Sequence, residues 1–179
     1  MTSSSSLSLS LPLVLLLALS VGAHVVDAGE QGLTRIHAYL HEILSGPNAT
    51  TVAVAQSPLG GNATFGRLGV LDLEVRDGPD LGSSSIVGRY QGVFALADSV
   101  SPPGILTTVN VVFTAGEHGG STLAILGRIG SFEDPFERAV VGGTGAFRMA
   151  RGYCVTAAVA NPTPESVVYE FDLFVKTDV

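Results

Sequence analysis

From Arg35 onward the chain consists of short runs in which apolar and polar residues alternate, cut at nearly regular intervals by Gly, Pro, Asn and Asp, with no stretch carrying a helical period. The runs Arg35–Leu44, Thr50–Ala55, Gly69–Arg76, Ile86–Ala97, Leu106–Thr114, Thr122–Gly127, Glu137–Val141, Phe147–Val159 and Val167–Lys176 read as strands. In the last, Val167, Tyr169, Phe171, Leu173 and Val175 share one face, and Val168, Glu170, Asp172, Phe174 and Lys176 share the other. That is an apolar face toward a core and a mostly polar face toward water, as in an antiparallel sheet. Eight or nine such strands predict an all-β sandwich or barrel. Between two of them, Gly142-Gly143-Thr144-Gly145 predicts a tight turn with positive φ. It is not a phosphate loop, because neither a helix nor a Lys-Ser/Thr pair follows it.

Hydrophobic residues make up 46% of the 179, enough for a real core in a single domain. Residues 1–23 read as a cleaved signal peptide: Leu11 to Val21 is apolar but short for a bilayer span, and Val21-Gly22-Ala23 supplies small residues before the cut. A short lead at 24–33 and one domain at 34–179 follow, so export to the extracellular space is expected. The sequons at Asn48 and Asn62 agree with export, whereas Pro162 spoils the one at Asn161. Cys154 is the sole cysteine, so no intramolecular disulfide can form and stability must come from the core, from oligomerisation, or from both. A buried, inert Cys154 is expected. With a net charge of −7, one Lys and no basic run, the chain has little to offer nucleic acid or an anionic membrane. His24, His37, His41 and His118 are scattered and the Cys lacks a partner at metal spacing, so neither metal nor redox cofactor is expected.

Several blocks together resemble the plant dirigent family. Tyr39-Leu40-His41-Glu42-Ile43-Leu44-Ser45-Gly46 is similar to its first-strand motif, Phe65-Gly66 with Val70-Leu71-Asp72 to its FG…D segment, and Val87-Gly88-Arg89-Tyr90-Gln91-Gly92 to its VGRAQG signature. Gly120-Ser121-Thr122-Leu123 resembles its GSSL turn, and Val140 to Tyr153 is similar to its VVGGTGxFRxARGY block. The resemblance implies an eight-stranded antiparallel β-barrel of the dirigent and allene-oxide-cyclase type, usually a homo-oligomer, with a trimer favoured over a dimer, in the apoplast. It implies phenolic ligands and stereoselective coupling of phenoxy radicals, such as those from coniferyl alcohol, with a separate laccase or peroxidase making the radicals. Elimination through quinone methides on the same barrel, and non-catalytic binding of phenols or wall polymers, are the alternatives.

Coupling of two radicals needs little beyond fixed relative geometry. The quinone methide that follows must accept a proton and be attacked by a hydroxyl, a task suited to an acid in a dry cavity. Glu42 fits on pattern, sharing the apolar face of its strand with Ile36, Ala38, Leu40 and Leu44. It also stands where the resemblance implies a catalytic Asp, with its carboxyl one methylene further out. Arg89 and Gln91 share a face with Val87, Val93 and Ala95, and Arg151 shares one with Phe147, Met149, Tyr153 and Val155. An Arg on an apolar face calls for an acidic partner, for which Asp72, Glu74 and Glu42 are candidates. Asp72, Arg89, Gln91, Phe94 and Arg151 are therefore the candidate substrate contacts. The chain also departs from the family pattern. Where coupling members carry an Arg, Phe136 stands, and Arg138, two residues on, points to the same side and is the candidate substitute. Ile129 replaces that Arg's acidic partner, Leu73 replaces the second Asp of the pair begun by Asp72, and Phe94 and Leu96 replace aromatic hydroxyls.

Overall fold

The computed structural model describes residues 32–61, 65–100 and 104–177. The signal peptide expected at 1–23, most of the lead before the first strand and the Asn62 sequon lie outside these residues. The strands run in chain order as β1 (Thr34–Ile43), β2 (Thr51–Ala55), β3 (Leu68–Arg76), β4 (Ile86–Leu96), β5 (Ile105–Phe113), β6 (Thr122–Ile129), β7 (Phe136–Thr144), β8 (Arg151–Thr163) and β9 (Ser166–Lys176). Sheet order is β1-β9-β8-β7-β6-β5-β4-β3-β2, and a further antiparallel pairing of Tyr39, Leu40 and His41 with Arg76, Val75 and Glu74 closes β1 onto β3. β1 and β2 lie end to end along β3, which pairs through Glu74–Arg76 with the first and through Leu68–Leu71 with the second. Together they form one interrupted stave, so the closed barrel has eight staves and leaves no long free edge. The interruption at 44–50 is pinned at its base. Thr50 N donates to the Ile43 carbonyl at 2.8 Å, Ile43 N donates to Thr50 Oγ1 at 2.9 Å, and Asp72 N donates to the Thr50 carbonyl at 2.8 Å.

The inward faces follow the period of two. On β9, Tyr169, Phe171, Leu173 and Val175 are buried, and Phe171 is wholly so. One end of the barrel is filled by Val111, Phe113, Leu123, Phe147, Ala150, Leu173 and Val175. Phe147 comes from a 3-10 turn (Gly145–Phe147) that folds under this end and packs its ring 5.4 Å from Phe113 and 4.9 Å from His118. Cys154 is free and fully buried. The opposite end is left open.

Two local expectations are corrected. Gly142 and Gly143 do not turn. They extend β7 against Ala124 and Leu123, and the positive φ falls at Gly145 (63°). Glycine is required at 143 for space, since a Cβ there would lie 2.4 Å from the Thr122 carbonyl oxygen and 2.7 Å from Phe147 Cβ. The strand expected over Phe147–Val159 instead spans Arg151–Thr163, because Phe147 is spent on the plug. Asn161-Pro162-Thr163, expected to break the chain, continues β8, and register shifts against β9 after Ala158 and after Ala160 accommodate the Pro.

Candidate functional site

The open end holds a cavity of about 490 Å³, well within the range of small-molecule sites. Its walls are apolar, with Leu40, Leu73, Phe94, Leu96, Ile129 and Phe136 among them. Two glycines make that packing possible. A Cβ at Gly69 would lie 2.1 Å from the Phe94 ring, and one at Gly127 would lie 2.7 Å from Arg138 Cγ. Small backbone on a neighbouring strand thus lets each large side chain lie along the wall.

Two polar centres stand on this surface. The first is Glu42, the penultimate residue of β1. The pinned interruption brings the first residue of β2 beside it, so that Thr51 Oγ1 donates to Glu42 Oε1 at 2.5 Å. Tyr169 on β9 donates its hydroxyl to Glu42 Oε2 at 2.9 Å. Burial, then the nearby Glu42 charge, push the Tyr169 phenol far up, so it remains a donor. The second centre is Arg138 on β7, which is 4% exposed. Its guanidinium donates to the Tyr90 hydroxyl, to Thr156 Oγ1 at 3.1 Å and to Thr107 Oγ1 at 3.3 Å, and it stands 5.2 Å from the Phe136 ring centroid. Arg138 Nε is buried with no acceptor among the described residues. Burial pushes the Tyr90 phenol up to about 12, although the Arg138 charge pulls it down, and burial also raises the Cys154 thiol beside it. Both neighbours are therefore neutral at ordinary pH, and no carboxylate among the described residues is close enough to pair with Arg138. Arg67 completes the charged lining.

Of the residues singled out from sequence, Glu42, Arg138 and Phe94 line this cavity together. Phe136, at the position where an Arg is implied, and Ile129, where its acid is implied, also line it. Asp72, Arg89 and Gln91 face outward instead. Arg89 Nε lies 2.8 Å from Asp72 Oδ1, and Arg89 Nη2 donates to the Asp72 carbonyl at 2.9 Å. Burial opposes the Asp72 charge, but hydrogen bonds from Arg89 and Gln91 outweigh it and hold the carboxyl below its usual value. These three border a separate outer groove that Asn48 also lines, and they fasten β3 to β4. Arg151 is exposed on the outer face, lines neither cavity and donates to the Ala150 carbonyl at 2.8 Å. The inward residues at that end of β8 are Cys154 and Thr156, one register step away. The histidines are not all scattered: His37 Nδ1 lies 2.9 Å from Asp172 and 3.8 Å from Glu170. Arg35 also grips Asp172 through two bonds of 2.8 and 2.9 Å, which makes the set an ion-pair network across β1 and β9.

Sequence reasoning missed Tyr90, Tyr169, Thr107, Thr156, Thr51 and Arg67. The signal for Tyr169 was a hydroxyl on the inward face of the last strand, and that for Tyr90 was its place between the outward Arg89 and Gln91. The threonines gave no signal, since Thr is an ordinary strand residue.

Comparison with known proteins agrees with this geometry. The profile of the dirigent-like protein family matches residues 33–176. Over 146 residues the chain is 40% identical to dirigent protein 11 of Arabidopsis thaliana, covering 80% of this chain and 74% of that one. It is 35% identical over 161 residues to pterocarpan synthase 1 of Glycyrrhiza echinata, covering 87% and 84%. The solved structure of a pterocarpan synthase dirigent protein superposes with a TM-score of 0.72 at 34% identity, over 80% of this chain and 88% of that one. With its closed eight-stave barrel, its one open end and its match over nearly all the described residues, the chain belongs to the dirigent-like protein family.

Proposed function

We propose that this barrel binds phenylpropanoid phenols at its open end and directs the stereoselective coupling of their phenoxy radicals, which a separate oxidase supplies. The observation that carries the reading is the composition of the cavity: one carboxylate held by two hydroxyl donors and one caged guanidinium, on otherwise largely apolar walls. Aromatic rings lie flat against Phe94, Leu96 and Phe136, which fixes the faces they present to one another, and positioning is the main catalytic demand of radical coupling. When two radicals join, a carbon–carbon bond forms and each ring becomes a quinone methide. Glu42, whose two oxygens both accept hydrogen bonds, acts as base in place of the acid expected from sequence: it removes the proton of the attacking oxygen nucleophile while the quinone methide oxygen takes one from water, with Tyr169 holding the carboxylate in place. Arg138 stabilises the negative charge that builds on that oxygen.

A second reading draws on the likeness to pterocarpan synthases: an elimination on a closed-shell phenol, with the same Glu42 and Arg138 in the same roles. We read the subunit as part of a secreted homo-oligomer. The outer faces of β2 to β6 present Val52, Val70, Val93 and Leu126 to solvent in one uncharged row, the sort of surface a second copy covers.

The test is oxidative coupling of coniferyl alcohol and of ferulate with a one-electron oxidant, followed by chiral chromatography of the dimers. An enantiomeric excess that rises with protein and drops in Glu42→Gln is expected. Racemic dimers from both phenols at every protein concentration would sink the coupling reading. Turnover of a closed-shell phenol without oxidant would establish the elimination instead.

A further inference from the structure

Arg138 has no counterion in this cavity. The residue is 4% exposed, and its three hydroxyl partners are neutral. An uncompensated buried cation costs several kcal/mol, and proteins normally pair such groups. Tyr90 and Cys154, the neighbours that could ionise, are held neutral. Glu42 belongs to a different cluster, with its two oxygens engaged by Thr51 and Tyr169.

A guanidinium has five N–H donors. The hydroxyl cage takes two protons on Nη1 and one on Nη2, the Cys154 thiol lies within hydrogen-bonding reach, and Nε–H has no acceptor among the described residues. A guanidinium that lines a cavity and keeps an unmet donor suits an anion, and a carboxylate above all. We infer that the cavity selects a phenol bearing a carboxylate, whose anionic end pairs with the Arg138 guanidinium while its ring lies along Phe94, Leu96 and Phe136. The anion must be a carboxylate: near pH 6 a phenol with a pKa of about 10 is neutral, whereas an acid with a pKa of about 4.3 is ionised. The inference rests on the reading of this cavity as a phenol site and narrows its substrate class.

Calorimetric titration of the secreted protein with ferulate, methyl ferulate and coniferyl alcohol tests it. At about pH 6, ferulate should bind at least ten-fold more tightly than its methyl ester, which has the same ring and side chain without the charge. The advantage should shrink as pH falls through the acid's pKa of about 4.3 and be almost gone near about pH 3, where the ligand is protonated both free and bound. Glu42, whose carboxyl faces the same space, repels the anionic ligand and not the ester, so the acid-to-ester ratio is also compared in Glu42→Gln. In Arg138→Met, with its fold checked by near-UV circular dichroism, acid and ester should bind equally. If that variant does not fold, the acid-to-ester ratio against pH in the unaltered protein decides alone. Equal affinities for acid and ester, or a tighter ester, would overturn the inference and leave the phenol site standing. Failure of all three ligands to bind would overturn both.

Discussion

Arg138→Met should make the ligand-free barrel more stable, the reverse of what removing a fully buried, hydrogen-bonded side chain ordinarily does. Met replaces the aliphatic stem that lies over Gly127, so the packing lost is small. Three hydrogen bonds to neutral hydroxyls disappear with the guanidinium. Against them stands the desolvation of a guanidinium with no counterion, which costs several kcal/mol. The hydroxyls left behind are not stranded. Thr107 Oγ1 still donates to the Gly127 carbonyl at 3.1 Å, and Tyr90 and Thr156 border a cavity of about 490 Å³. Exchanging buried ionic groups for apolar ones gains about 1–4 kcal/mol where packing is kept. We expect roughly 1–3 kcal/mol here, which at about 2–4 °C per kcal/mol for a domain of this size raises Tm by roughly 2–12 °C. With no Trp in the chain, thermal unfolding is followed by the near-UV circular dichroism of Tyr and Phe. A Tm lowered by several degrees would refute the reasoning, because it would mean that the hydroxyl cage fully compensates the charge and that no anion is missing. The gain should come with lost ligand selectivity, as when a functional site is held at a cost to stability.

Tyr169→Phe removes one donor from Glu42 and should cut enantiomeric excess in the coupling assay while lowering Tm by only a few degrees, since the ring remains in place. Phe171→Ala, at a wholly buried position, should cost about 3–5 kcal/mol by denaturant titration. The Asp172 carboxyl, despite its partial burial, is held below its usual value by Arg35 and His37, so its folded pKa is depressed. That contribution is present above the unfolded value of about 3.9 and is lost as pH falls through the folded one. Asp172→Asn should therefore be less stable than the unaltered protein at pH 7, with the gap closing on acidification below about pH 4 in paired unfolding curves. Leu126→Arg with Val93→Glu should reduce the oligomer mass measured by light scattering without altering the circular dichroism of the barrel.

The sequence by itself determined the fold class and much of the barrel, because a strand's side chains alternate with a fixed period and turn residues punctuate it. β9 shows this well: its inward set was readable residue by residue. The same logic placed Glu42 on an inward face and Arg138 on the side of Phe136. It misled at Gly142-Gly143, where composition suggests a turn but both glycines continue β7, and Gly143 serves close packing against Thr122, 21 positions away, and against Phe147 of the local plug. It left Arg89, Gln91 and Arg151 as candidates because period two separates two faces without saying which one faces inward when both carry apolar residues. Only closure of β1 onto β3 fixed that choice, turning Tyr90 and Phe94 in and Arg89 out. Tertiary structure alone decided which polar groups meet. Glu42 and Tyr169 are 127 positions apart, and Arg138 gathers hydroxyls from β4, β5 and β8. A hydrogen bond acts over about 3 Å, and no pattern along the chain encodes that distance across a barrel.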